Sequence, residues 1–151
     1  MRSVASAADD TASGAADSQR AATELALDYA KQREQFGKPI IEHQAVAFRL
    51  ADMATRVEAS RLLTWRAAKL LDAGKDAAAA CAQAKLVASE AAMFCTWAAV
   101  QTLGGWGYSR EFLAEKWMRD SKIMDIFEGT GQIQHLIVAR NVLEVSSKEW
   151  K

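Results

Sequence analysis

The stretch WMRDSKIMDIFEGTGQIQHLIVAR, residues 117–140, decides the architecture. Helix-compatible sequence on either side is parted by one break, Gly129-Thr130-Gly131. Past the break, apolar residues return at helical spacing, at Ile133, Leu136 and Ile137. Just before it stands a single carboxylate, Glu128, preceded by Ile126 and Phe127. Greasy neighbours on one side and a flexible joint on the other suit an acid or base at the mouth of a pocket better than a surface residue. The rest of the chain then reads as the scaffold that presents it.

Outward from this stretch, breakers are few. Pro39 is the only proline, glycine is sparse before residue 104, and no period-two alternation is sustained. The expected fold class is all-α, an antiparallel up-and-down four-helix bundle. A chain of 151 residues is one domain's worth. No apolar run is expected to span a bilayer. Lysine plus arginine equal aspartate plus glutamate at 19 each, which argues against nucleic-acid binding, where affinity comes from excess positive charge. Cys81 and Cys95 lie within an alanine-rich helical pattern and form neither a disulfide framework nor a metal knuckle, so both are expected as reduced core thiols.

Residues 1–18 hold Ala, Ser and Asp with almost no large apolar side chains, and are expected as a frayed or disordered segment. The domain proper is expected over 19–151. A first helix is expected from Arg20 to about Gln35, stopped by Gly37 and Pro39. Between them QREQFGKPI reads as a solvated turn with Phe36 as a packing plug. A second helix is expected from Glu42 to Asp72, because Val46, Leu50, Met53 and Val57 share one face. A third, from Lys75 to Leu103, is built on alanine, with Phe94 and Trp97 read as core packing. QTLGGWGYSREF then ends it with three glycines, a fourth helical region starts near Glu111, and a last helix starts near Thr130.

Three motifs carry more than pattern. YAKQREQFGKPIIEHQA, QTLGGWGY and WMRDSKIMDIFEGTGQIQHLIVAR, in this order and at these separations, resemble the C-terminal helical domain of the FAD-dependent acyl-CoA dehydrogenases. The likeness runs from about Arg20 to Leu143. It implies that Glu128 is the base that removes the α-proton of an acyl-CoA thioester while the β-hydrogen leaves as hydride to FAD, giving a trans-2-enoyl-CoA. Burial would raise the base's pKa, and the Glu128 main-chain amide would be one donor to the thioester oxygen. Phe127 and Gly129 would line the acyl site. Thr130 and Gln132 match residues that touch the FAD of the same active site. Arg33, Gln35, His43, Gln44, Gln101, Gly104 and Gly105 match positions that reach the FAD held mainly by a neighbouring subunit. The family is typically tetrameric, and its dehydrogenases pass electrons to an electron-transfer flavoprotein.

Family members are much longer, with a helical N-terminal domain and a β-domain ahead of this one. An Asp-x-x-Arg segment used by many of them would fall near Ala5 and Ala8, and Leu113 replaces a common proline. The chain is therefore expected to be a catalytic-base and oligomerisation module of fatty acid metabolism that does not turn over or retain FAD alone. Its expected place is the cytoplasm, or the mitochondrial matrix if eukaryotic. Two alternatives stand beside this: an acyl-CoA oxidase-like relative, and a non-catalytic helical interaction module.

Overall fold

Ala8, Ala12, Ala15, Gln19, Ala22, Ala26 and Ala30 fall on one line along the first helix, and every one is buried. Steps of three and four residues place side chains on a single helix face. Because the side chains are small, a neighbouring helix can approach closely along the whole line. The computed structural model describes residues 4–146, and this line lies on α1 (Val4–Gln32). Residues 4–18, expected to be frayed or disordered, are therefore helical and packed. The expectation sought large apolar side chains, whereas burial here comes from backbone approach over alanine.

After α1, two-residue strands β1 (Glu34–Gln35) and β2 (Lys38–Pro39) pair antiparallel, Glu34 with Pro39 and Gln35 with Lys38. Phe36 and Gly37 make the turn with φ of 55° and 78°. A two-residue hairpin with both central residues left-handed matches strand twist, which is why glycine suits the second position. Phe36 is 94% exposed, so it is no packing plug. Its ring meets the His43 ring edge-on at 6.0 Å. A 3-10 turn over Ile40–Glu42 leads into α2 (Gln44–Asp72). On α2, Leu50 and Met53 are buried and Val46 and Val57 pack beside them, as their spacing predicts.

Helix α3 (Ala78–Leu103) is the centre of the bundle, packing on α1 and α2 and on the C-terminal helices. By length and composition α3 is apolar enough to cross a bilayer, contrary to the expectation that no run would be. Its buried line of Cys81, Ala84, Ala88, Ala92, Cys95 and Ala99 faces the neighbouring helices instead. Trp97, expected in the core, is 44% exposed. The fourth side is not one helix but a series: α4 (Gly105–Tyr108), α5 (Ala114–Ser121), α6 (Ile123–Ile126) and α7 (Gly131–Leu143), of which α5 and α7 make the main contacts with α3. The hairpin and 3-10 turn between α1 and α2, and the turn between α2 and α3, give the up-and-down order of an all-α bundle.

Candidate active site and cofactor groove

Helix α6 ends at Phe127, and the next two residues take positive φ: Glu128 at 54° and Gly129 at 96°. Glycine adopts this region freely, whereas a glutamate held there costs on the order of 1–2 kcal/mol. Two buried polar side chains hold the segment. Lys85, on the central helix and 1% exposed, donates from Nζ to the Gly129 carbonyl oxygen. Gln134, on α7 and equally buried, donates from Nε2 to the Gly129 oxygen at 3.1 Å and to the Glu128 oxygen at 3.5 Å. A Cβ at Gly129 would stand 2.7 Å from that Nε2, so another residue here would have to displace this donor as well as adopt the φ of 96°. Thr130 caps α7, its Oγ1 accepting from the Ile133 N–H at 3.5 Å.

The carbonyls are thus held inward while the carboxylate and the main-chain N–H of Glu128 stay uncommitted. Its side chain is exposed and makes no hydrogen bond or ion pair among the described residues, and neither does its main-chain N–H. The burial expected for Glu128 is not supplied by this chain. Beside it Phe127 is 39% exposed. Burial pushes the Lys85 ammonium below its ordinary pKa, opposed by the charges of Asp125 and Glu128. Gln132, in the first turn of α7, lines a groove of about 440 Å³ with Lys122, Asp125 and His135.

The remaining candidates gather at the other end of α3. Arg33, Gln35, Gly104 and Gly105 line one groove of about 620 Å³, with Tyr29, Ile40 and Trp106. His43 joins them through its Nε2, 3.1 Å from the Gln35 carbonyl oxygen. Gln44 opens α2 and Gln101 lies exposed on the last turn of α3, both outside the lining of that groove. The glycines divide by role. A Cβ on Gly104 or Gly105 meets nothing within 4 Å, whereas one on Gly107 would lie 2.6 Å from the Val100 oxygen. At 1.5 Å of rise per residue, Lys85 and Leu103 are about 27 Å apart along α3, so the two groups of candidates lie well apart on the bundle.

The sequence model of the acyl-CoA dehydrogenase C-terminal domain matches residues 10–143. The chain belongs to the acyl-CoA dehydrogenase family. It is 50% identical over 125 residues to the mitochondrial short-chain specific acyl-CoA dehydrogenase of Bos taurus, covering 83% of this chain and 30% of that protein. It is 42% identical over 141 residues to a subunit of the caffeyl-CoA reductase-Etf complex of Acetobacterium woodii, covering 93% and 35%. Among solved structures, butyryl-CoA dehydrogenase from Megasphaera elsdenii superposes with a TM-score of 0.91 at 41% identity, over 93% of this chain and 37% of that one. The chain spans about a third of the length of the relatives it matches.

Acyl-CoA dehydrogenases depend on FAD, and the groove at the C-terminal end of α3 suits part of such a group. Arg33 is exposed and has no side-chain hydrogen bond or ion pair among the described residues. It stands on the rim with two glycines whose backbone is open to close approach, and a free guanidinium beside bare backbone fits a pyrophosphate. At the Glu128 loop, Gln132 offers an exposed amide, whereas the Thr130 hydroxyl is already engaged in capping α7. Lys85 and Gln134 of this acyl-CoA dehydrogenase domain are not among the residues that its motifs single out. A signal for Lys85 was present: it falls between Cys81 and Ala88 on the buried line of α3, where a solvated lysine has no place.

Proposed function

We propose that this chain is the catalytic-base and oligomerisation portion of a flavoprotein acyl-CoA dehydrogenase, converting an acyl-CoA thioester to the trans-2-enoyl-CoA. The observation that carries the proposal is Glu128 itself. It is held in a left-handed backbone with both its carboxylate and its N–H free. A strained, exposed carboxylate with no structural partner is poorly explained by stability.

In this reading the Glu128 carboxylate takes the α-proton. The Glu128 N–H donates to the thioester carbonyl oxygen, where negative charge develops. Base and donor sit on one residue, so a substrate that meets one is placed against the other. Phe127 and Gly129 border the acyl chain. Bound FAD supplies a hydride acceptor for the β-hydrogen. Because Glu128 is exposed here, the dry surroundings that strengthen a carboxylate as a base come from the rest of the enzyme.

Thr130 and Gln132 then border the FAD of the Glu128 site. Arg33, Gln35, His43, Gln44, Gln101, Gly104 and Gly105 reach the FAD of a neighbouring subunit. The separation of about 27 Å along α3 supports this division between two cofactors. Exposed Phe36, Trp106, Tyr108 and Leu113 near the groove supply an apolar face for a second copy of the chain. An electron-transfer flavoprotein is the proposed electron acceptor, in keeping with the Etf complex named for the Acetobacterium relative. The cytoplasm, or the matrix in a eukaryote, is the proposed location.

The test is a chimera in which this chain replaces the corresponding portion of the Megasphaera butyryl-CoA dehydrogenase. Butyryl-CoA should bleach its flavin, and Glu128→Gln should abolish the bleaching while flavin content stays the same. Bleaching at the native rate in the variant would remove Glu128 from the reaction.

A further inference from the structure

The Glu128 segment needs something to keep it in a backbone conformation that glutamate does not favour, and two buried side chains converge on it from different helices. Lys85 comes from the central helix and Gln134 from α7, and both donate to the Gly129 carbonyl oxygen. Gln134 reaches the Glu128 oxygen as well. A buried lysine is an expensive way to satisfy one carbonyl that already has an amide donor. Neither Lys85 nor Gln134 lines the groove that holds Gln132, and Lys85 makes no ion pair within 4 Å among the described residues. Its visible work is on the loop.

Resting on the reading of Glu128 as the base, we infer that Lys85 and Gln134 form a positioning clamp that fixes the Glu128 backbone. By holding two successive carbonyls inward, the clamp leaves the Glu128 N–H and carboxylate turned to the same substrate. Neither residue touches the substrate. Their effect is on how often Glu128 occupies the reactive geometry, and small misplacements of a reacting group carry large rate losses.

A clamp and a merely structural lysine respond differently to Lys85→Met. Methionine fills similar volume and removes a buried charge, so overall stability should hold or rise. The loop should nevertheless loosen. In the 151-residue chain, the amide signals of Glu128 and Gly129 should shift and exchange with solvent at least tenfold faster, with the melting temperature unchanged or higher. In the butyryl-CoA dehydrogenase chimera, α-proton exchange should fall ten- to a hundredfold with KM for butyryl-CoA within threefold of native. Lys85→Arg, which keeps a cationic donor, should recover part of that loss. Gln134→Met attacks the same carbonyls from α7 and should give the same pattern should Lys85→Met fold poorly. Loop signals that superimpose on the native ones in both methionine variants would overturn the clamp. So would a loosened loop with an undiminished exchange rate. A Glu128→Gln chimera run alongside reads the base assignment separately, since the loop signals do not depend on that assignment.

Discussion

The buried Lys85 ammonium donates a hydrogen bond to the carbonyl oxygen of Gly129, one residue beyond Glu128. A cation on the central helix is thereby tied to the backbone of the segment that carries the candidate base. Packing, strain and proposed chemistry meet at this contact.

Gly129→Ala should be poorly tolerated. Its φ of 96° disfavours any L side chain, and the new Cβ would press on Gln134 Nε2. Left-handed strain and a displaced buried donor together should cost about 2–4 kcal/mol, read as a lower denaturation midpoint. A midpoint within the error of native would show that the loop relaxes freely, against the clamp geometry.

The glycines of the other end make a paired test. Gly107→Ala places a Cβ against the Val100 backbone and should destabilise by about 1–3 kcal/mol. Gly105→Ala meets open space, so its stability should stay within about 0.5 kcal/mol of native. In the chimera it should still weaken FAD retention, because the role proposed for this backbone is close approach to the cofactor. Equal destabilisation by both would make this turn a packing element alone.

Arg33→Ala removes an exposed side chain with no ion pair or hydrogen bond among the described residues, so the melting curve should not move. FAD affinity of the assembled chimera should drop at least tenfold, and Arg33→Lys should recover little, because lysine lacks the planar fork. Unchanged FAD affinity in Arg33→Ala would remove the residue from the cofactor site.

Burial pushes the Cys95 thiol up to about 11 from 9.0, and raises Cys81 as well. Between pH 9 and 11 the unfolded chain releases the Cys95 proton while the folded chain keeps it. This contribution is therefore intact below pH 9 and is lost as pH climbs towards 11. Denaturation at pH 8 and pH 10.5 should show the loss, and Cys95→Ala should flatten it. At pH 8 both thiols should react with iodoacetamide far more slowly in the native chain than in denaturant.

Much of this was legible in residue order. Long helical segments with few breakers give an all-α bundle, and the step from Val46 to Val57 names a buried face. The first half of α1 was hidden because alanine carries little hydrophobic signal by itself. Its meaning lies in the spacing from Ala8 to Ala30, and only the matching alanines of α3 give that spacing a partner. The candidate site was legible in part for a different reason. Glu128 stands out by its neighbours, but Lys85 lies 43 positions earlier in an alanine-rich run, and only the fold brings it to Gly129. The burial expected around Glu128 is not a property these residues supply, since the side chain is exposed among the described residues.

The most direct measurement of the central claim isolates proton removal from hydride transfer. An acyl-CoA thioester with sulfur in place of the β-carbon can lose its α-proton but has no β-hydrogen to give. Incubated in D2O with the chimera, it should take up α-deuterium, followed by NMR. Exchange should be rapid with native Glu128 and fall at least about 10²-fold with Glu128→Gln. Exchange at the native rate in the Glu128→Gln chimera would contradict it.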